Sequence, residues 1–152
     1  MFSNEITGLN EVIIKFCKID KRAIIPKFAS NGAAGFDFHA LDSYVIKPNE
    51  QSLIHTGLSV ELPFGYELQV RPRSGLALNH KITILNSPGT VDSDYRGELM
   101  IILMNFGEEF KINSGDRIAQ GIIQRLPIVK IEEVSMLSKT KRDKGGFGST
   151  GI

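Results

Sequence analysis

Cysteine and histidine are scarce in this 152-residue chain. Cys17 is the one cysteine, so no disulfide can form within the chain. The three histidines, His39, His55 and His80, are too scattered to complete a Cys/His zinc site. Cys17 lies in the apolar stretch 12–19, which favours a buried, unreactive thiol over a catalytic nucleophile.

Long hydrophobic runs are also missing. The longest, residues 99–104, is far too short to span a bilayer as a helix. The first eleven residues have no basic start followed by an apolar core, so they do not resemble a secretory signal. We therefore expect a soluble, cytoplasmic protein with no membrane partner.

A strong excess of one charge is absent too, since the formal net charge is +1. Such a chain has no overall field that would attract nucleic acid or an anionic membrane. Any anionic ligand must be held by a few placed cations and backbone N–H groups, which favours a small phosphorylated molecule. Hydrophobic residues at 41% and charged residues at 23% indicate an ordinary globular domain.

Short segments rich in β-branched and aromatic residues alternate with Gly, Pro and Asn turns, which predicts an all-β sandwich or barrel. One short helix is predicted at 75–79, with Ser74 as its N-cap. Residues 99–104 are apolar on both faces of a strand, which predicts cover by another subunit. The predicted strands are 12–19, 35–40, 52–62, 66–71, 81–85, 98–106, 117–124 and 130–134.

The C-terminal residues change character. A charged run at 139–144 is followed by GGFGSTG at 145–151, which predicts a mobile tail. The tail contains G-x-G-x-x-G, but no helix can follow it, so the Rossmann interpretation fails, as does a Walker loop. Its N–H groups with Ser149 and Thr150 could still wrap phosphate, and Arg142 could pair with it. A frayed terminus is the alternative, although Phe147 argues against it.

Three internal motifs could also carry chemistry. RPRSGLA at 71–77 places arginines beside a helix start, which suits an anion, or it is a capped helix with surface arginines. In GTVDSDYRGE at 89–98, Asp92 and Asp94 share a side if extended, and one could deprotonate water; a hairpin with capped turns is the alternative. In AGFDFHA at 34–40, Phe36 and Phe38 share a face opposite Asp37, as in a core strand.

Taken in order, these segments and GDRIAQG at 115–121 resemble the five motifs of the homotrimeric dUTPase family. The resemblance covers about residues 24–152. It implies a distorted jelly-roll β-barrel over residues 1–138, and an arm at 139–152 that closes over sites shared between three subunits. The implied activity is hydrolysis of dUTP to dUMP and pyrophosphate, which limits uracil in DNA and supplies dUMP for thymidylate synthesis.

The resemblance also implies roles for the nucleoside-binding residues. Asp92 matches the carboxylate that deprotonates the attacking water, and Tyr95 matches the ring that packs on deoxyribose. Asn86 matches the residue that reads the uracil edge. Backbone groups of Thr90, Val91, Asp92 and Met100 complete that recognition.

Phosphate binding is implied for a second set. Arg73, Ser74 and Gly75 match the phosphate-holding motif supplied by a neighbouring subunit, and Gln120 matches a further phosphate contact. Asp37 resembles an acid of the catalytic network near the metal–triphosphate. In the arm, Phe147 would stack on uracil, and the substrate-binding residues would be Arg142, Phe147, Gly148, Ser149 and Thr150.

Mg²⁺ is the expected cofactor, bound through the triphosphate and waters without direct protein ligands. The family commonly has Gly after the arm's Arg, whereas Asp143 follows Arg142 here, which predicts slightly weaker arm closure. Two alternatives are a dCTP deaminase of the same fold and a nucleotide-sensing module. Zinc deaminases lack support because the H-x-E and P-C-x-x-C elements are missing.

Overall fold

The structure is a computed structural model that describes residues 11–146. Eleven strands and one helix occur within that range. They are β1 (Lys15–Lys18), β2 (Phe36–His39), β3 (Tyr44–Ile46), β4 (Gln51–His55), β5 (Leu58–Glu61), β6 (Tyr66–Arg71), α1 (Ser74–His80), β7 (Ile82–Ile84), β8 (Gly89–Val91), β9 (Met100–Asn105), β10 (Phe110–Ile112) and β11 (Arg117–Arg125). The predicted all-β class with one short helix is confirmed.

The strands form four antiparallel sheets. The largest has the order β2-β11-β6-β8, and a three-stranded sheet has the order β4-β9-β7. Two pairs, β1-β5 and β10-β3, complete the set. In the described residues no helix is both long and apolar enough to cross a membrane.

The core lies between the inner faces of these sheets and follows from alternation along the strands. On β2, Phe36 and Phe38 are buried while Asp37 faces outward, as predicted. The two rings pack edge to face, with centroids 5.6 Å apart. Gly121 on β11 makes room for them, because a Cβ there would come within 2.5 Å of the Phe36 ring and 2.8 Å of the Phe38 ring. An inward side chain at position 121 is therefore sterically excluded.

Two buried polar side chains join the sheets. Asn105 at the end of β9 is fully buried and donates hydrogen bonds to the carbonyls of Ile46, Lys47 and Glu108. Thr56, between β4 and β5, donates its hydroxyl to the Leu99 carbonyl at 2.6 Å. These bonds satisfy polar groups that would otherwise cost stability inside the core.

Some strand predictions need correction. The predicted strand 52–62 is two strands, because Gly57 turns the chain with φ of 68°. The short strands β3, β8 and β10 were not predicted. Residues 130–134 are exposed and form no strand, since no described segment pairs with them. By contrast, 66–71 matches β6 residue for residue.

Two local predictions are wrong. Cys17 is exposed, because the alternation of β1 turns Phe16 toward the core and Cys17 away from it. Ser74 is the first residue of α1, and its N-cap is Arg73 in extended conformation, without a side-chain capping bond. The first turn of α1 therefore leaves N–H groups open to an outside acceptor.

Candidate active site

A cavity of about 310 Å³ opens beside the segment that joins β8 to β9. This volume is at the lower end of the roughly 300–1,000 Å³ usual for small-molecule sites. Its charged lining residues are Asp92 and Glu98. The lining also includes Thr90, Val91, Tyr95, Met100, Leu53, Phe38, Val70, Leu99, Ile101 and Ile102. The predicted residues Thr90, Val91, Asp92, Tyr95 and Met100 are thus brought together.

A turn places the Asp92 carboxylate and the Tyr95 ring at this cavity. The Tyr95 amide donates to the Asp92 carbonyl at 3.2 Å, so the segment is not extended and the expected alignment of Asp92 with Asp94 is wrong. The Tyr95 hydroxyl donates to the backbone carbonyl of Glu98 at 3.0 Å. Gly97 permits this arrangement, because a Cβ there would overlap the Tyr95 hydroxyl.

A second group of predicted residues lies on the outer face of the largest sheet. Asp37 accepts from Arg73 Nε at 3.0 Å and from Arg117 Nη1 at 3.2 Å. Gln120 lies opposite Asp37 in the β2–β11 register and donates to the Pro72 carbonyl at 2.9 Å. Ser74 and Gly75 are exposed at the start of α1 beside Arg73. Cations and open N–H groups together can hold phosphate oxygens.

Within one chain these two groups do not meet. Asp37 is on β2 and Asp92 follows β8, at opposite edges of the largest sheet. Three strand spacings separate those edges, about 14 Å. The side chain of Asp37 also leaves β2 on the opposite face from Phe38, which lines the cavity. Within one chain the two carboxylates therefore lie in different parts of the surface.

The remaining predicted residues lie elsewhere. Asn86 is exposed in the turn between β7 and β8, outside the cavity lining. Arg142 is exposed, and its Nε donates to the Gly145 carbonyl at 2.9 Å. Asp143 has φ of 44°, the left-handed region that favours glycine. Phe147, Gly148, Ser149 and Thr150 lie outside the described residues.

One titratable group beside the Asp37 cluster is perturbed. Burial lowers the pKa of His39, and the positive charges of Arg117 and Arg73 act in the same direction, while Asp37 opposes them. His39 Nδ1 is buried without a hydrogen-bond partner among the described residues. A proton on this nitrogen would therefore be poorly accommodated.

Sequence reasoning did not assign roles to Arg117, Glu98 or His55. Arg117 and Glu98 both stand inside recognised motifs, so motif membership could have drawn attention to them. His55 had no such signal, since its partner Glu98 is 43 residues away along the chain. Among residues 11–146, no three His, Cys, Asp or Glu side chains lie close enough to hold a metal ion.

Comparison with known proteins places this geometry in a family. A family model described as dUTPase matches residues 21–151. A protein from Wolinella succinogenes named deoxyuridine 5'-triphosphate nucleotidohydrolase is 55% identical over 147 residues, covering 96% of this chain and 99% of that one. The protein of the same name from Helicobacter pylori strain J99 is 52% identical over 140 residues, covering 91% and 97%.

Solved structures agree. The dUTPase of Staphylococcus bacteriophage 80alpha with dUPNHPP superposes with a TM-score of 0.85 at 25% identity, covering 92% of this chain and 99% of that one. A phage phi11 dUTPase has a TM-score of 0.77 at 22% identity, covering 82% and 97%, which shows the fold alone. These likenesses confirm the jelly-roll class, while closure into a barrel stays a prediction. With the family model matching most of its length, the chain belongs to the dUTPase family.

Proposed function

We propose that this protein is a cytoplasmic enzyme that hydrolyses dUTP to dUMP and pyrophosphate. One observation carries the proposal. In this chain, which belongs to the dUTPase family, Asp92 and Tyr95 line the same cavity. The same activity is carried in the names of relatives that are more than half identical to this chain.

In the proposed reaction a water attacks the α-phosphorus in line. Asp92 accepts the proton of that water as the new oxygen–phosphorus bond forms, and the bond to the bridging oxygen breaks to release pyrophosphate. Asp92 is exposed at the cavity, so it is open to water and substrate. A positioned general base of this kind contributes roughly 10²–10⁴-fold to rate.

The nucleoside is assigned to the cavity. The Tyr95 ring would pack on the deoxyribose, where a ribose 2′-hydroxyl would clash. Backbone groups of Thr90, Val91 and Met100 would complete recognition of the base and sugar. Asn86 would bind the uracil edge. Because Asn86 lies in an exposed turn and does not line the cavity, its side chain would have to reach the base from outside the cavity.

The triphosphate is assigned to the outer-face cluster. Arg73, with the open first turn at Ser74 and Gly75, offers charge and N–H donors, and Gln120 adds an amide. Asp37 holds the Arg73 guanidinium through Nε, which fixes its direction. Arg142, Phe147, Gly148, Ser149 and Thr150 of the arm at 139–152 would close over the substrate and exclude water.

A homotrimer with shared sites would join the two groups. One support is their separation of about 14 Å within a chain. Another is exposed apolar surface on the β4-β9-β7 sheet, where Leu53 and Met100 are 46% and 41% exposed. A third is the segment after β11, where Ile128 and Ile131 are 98% and 92% exposed. Apolar surface of this extent favours contact with other copies.

Mg²⁺ is the proposed metal. The phage phi11 dUTPase structure contains a structural Mg(II) ion. In this proposal the ion is bound by the phosphates and by water, without direct protein ligands. When bound, it would neutralise the triphosphate charge.

Product analysis tests this function. The protein is incubated with dUTP, dCTP, dTTP and UTP in Mg²⁺, and the expected products are dUMP and pyrophosphate from dUTP alone. Asp92→Asn should bind dUTP normally and lose activity by about 10³-fold or more, because the general base is gone. Ammonia release from dCTP would instead assign a deaminase, and binding of dUTP without turnover a nucleotide sensor.

A further inference from the structure

Two charged residues line the cavity, Asp92 and Glu98. The proposed chemistry uses Asp92 and does not use Glu98. Its carboxylate is mostly buried, with 22% of the side chain exposed. Burying a carboxylate is unfavourable unless its charge is satisfied by other groups. Its partners therefore indicate what it does.

The two oxygens of Glu98 contact the last residue of β4 and the segment that follows it. Oε1 accepts from the Gly57 amide at 2.8 Å, and Oε2 lies 2.9 Å from His55 Nδ1. Backbone bonds reinforce this contact, since the Leu99 amide donates to the Leu58 carbonyl at 2.7 Å. His55 also lies opposite Met100 in the β4–β9 register. Glu98 is thus fixed to the neighbouring sheet by its own side chain.

The Tyr95 ring depends on this fixed point. Its hydroxyl donates to the backbone carbonyl of Glu98 at 3.0 Å, across the space that Gly97 leaves open. Because Tyr95 is 41% exposed and ends a turn, this bond limits how far the ring can move. A ring free to shift by a few tenths of an ångström would tolerate a 2′-hydroxyl better.

We infer that Glu98, held by His55 and the Gly57 amide, is a positioning residue that fixes the Tyr95 ring and thereby sets the preference for deoxyribose over ribose. The inference rests on the proposed function. It assigns a role in selectivity to His55 and Glu98, which touch neither the water nor the phosphorus in the proposed reaction.

The test measures kcat and KM separately for dUTP and UTP. Glu98→Ala should lower the dUTP/UTP ratio of kcat/KM about tenfold, mainly through a lower KM for UTP, because a ring that can shift tolerates the 2′-hydroxyl. Loss of a hydrogen bond to a charged group has effects of this order. His55→Ala should lower the ratio by a smaller factor, because the Gly57 amide bond remains. Glu98→Gln should restore the ratio, since its amide oxygen can accept from Gly57 and its NH₂ can donate to His55 Nδ1.

Glu61→Ala is the matched control. It likewise removes a glutamate carboxylate, here a half-exposed one paired with Lys15 at 2.6 Å, but Glu61 does not line the cavity. The control should leave the ratio unchanged. Thermal unfolding midpoints of all variants show whether any change in the ratio merely follows a loss of stability.

A double-mutant cycle identifies the route. Tyr95→Phe removes the hydroxyl that contacts Glu98 and should lower the ratio by a similar factor. Adding Glu98→Ala to Tyr95→Phe should then change the ratio little, since both act on one contact. Additive effects, an unchanged ratio in Glu98→Ala, or equal losses for both nucleotides would overturn the inference while dUTP hydrolysis itself stands. A wild-type protein without dUTP hydrolysis would overturn both.

Discussion

The cavity around Asp92 and the cluster around Asp37 are built from different bonds. The cavity owes its shape to backbone geometry: a turn at Asp92, the close approach that Gly97 allows, and the Glu98 carbonyl that accepts from Tyr95. The cluster consists of ion pairs, with Asp37 on β2 between the arginines at positions 73 and 117. A cavity of fixed shape suits the rigid rings of a nucleoside, whereas a pair of cations suits a flexible polyanion such as a triphosphate.

The difference implies that the two regions should fail separately. A change in the cavity should weaken nucleoside recognition and leave pyrophosphate binding intact. A change in the cluster should do the reverse. Binding of dUMP and of pyrophosphate, measured one at a time, therefore distinguishes the two regions in any variant.

Among the changes that distinguish the two regions, Gly97→Ala should have the largest effect. The new methyl group would overlap the Tyr95 hydroxyl, and the Tyr95 side chain would rotate away at little cost to the fold. We expect kcat/KM for dUTP to fall about 10²-fold, since small misplacements at a reacting site have effects of this size. Calorimetry should show weaker dUMP binding with pyrophosphate binding unchanged. A normal kcat/KM would mean that the Tyr95 ring does not pack on the deoxyribose.

Asp37→Asn should break the cluster instead. Arg73 and Arg117 would lose the negative charge to which both donate and which orients their guanidinium groups. We expect kcat/KM to fall about tenfold through poorer positioning of the phosphates, as for removal of one partner of a part-buried charge pair. Affinity for dUMP should stay near that of the wild type. If dUMP binding fell as much as pyrophosphate binding, the two regions would not be separable.

How far the sequence predicts these regions depends on how local the signal is. The alternation of Phe36, Asp37 and Phe38 was sufficient to predict β2 and its faces, because a strand pattern needs only neighbouring residues. The three-residue strands β3, β8 and β10 are too short to show such a pattern. Residues 130–134 have strand-forming side chains but no partner strand in the described chain, and a strand without a partner leaves its hydrogen bonds unmade.

The site divides in the same way. Asp92, Tyr95, Arg73 and Asp37 stand in motifs whose order along the chain could be read directly. The contact of Glu98 with His55 joins positions 43 residues apart, and nothing in the local sequence at either one indicates the other. The separation of Asp37 from Asp92 likewise depends on the strand order β2-β11-β6-β8, which no local pattern gives.

The pH dependence of folding should report on the partly buried imidazole of His39, beside the cluster. Burial lowers the pKa of His39 in the folded protein, so the unfolded chain binds its proton more readily. Stability should therefore be full above pH about 6.5, the ordinary value for histidine, and should decrease as pH falls below it. Asp20 and Glu61, whose pKa values are also lowered, act only below about pH 4.5. Urea unfolding between pH 7.5 and 5 should show a smaller loss for His39→Gln than for wild type, and equal losses would exclude His39 as the source.

The smallest effect is expected at Asp143, which belongs to neither region and lies in the proposed arm. Its backbone has φ of 44°, and its amide donates to Thr140 Oγ1 at 3.0 Å in a turn that also ties Arg142 to Gly145. Glycine would adopt this conformation without strain and would remove a negative charge near the proposed position of the γ-phosphate. Asp143→Gly should lower KM for dUTP by about two- to threefold with kcat unchanged, corresponding to roughly 0.5 kcal/mol. Asp143→Asn separates the two causes, because asparagine tolerates the left-handed region and carries no charge. A lower KM in both variants identifies repulsion as the cause, and a lower KM in the glycine variant alone identifies strain. An unchanged KM in both would show that the residue after Arg142 does not govern arm closure.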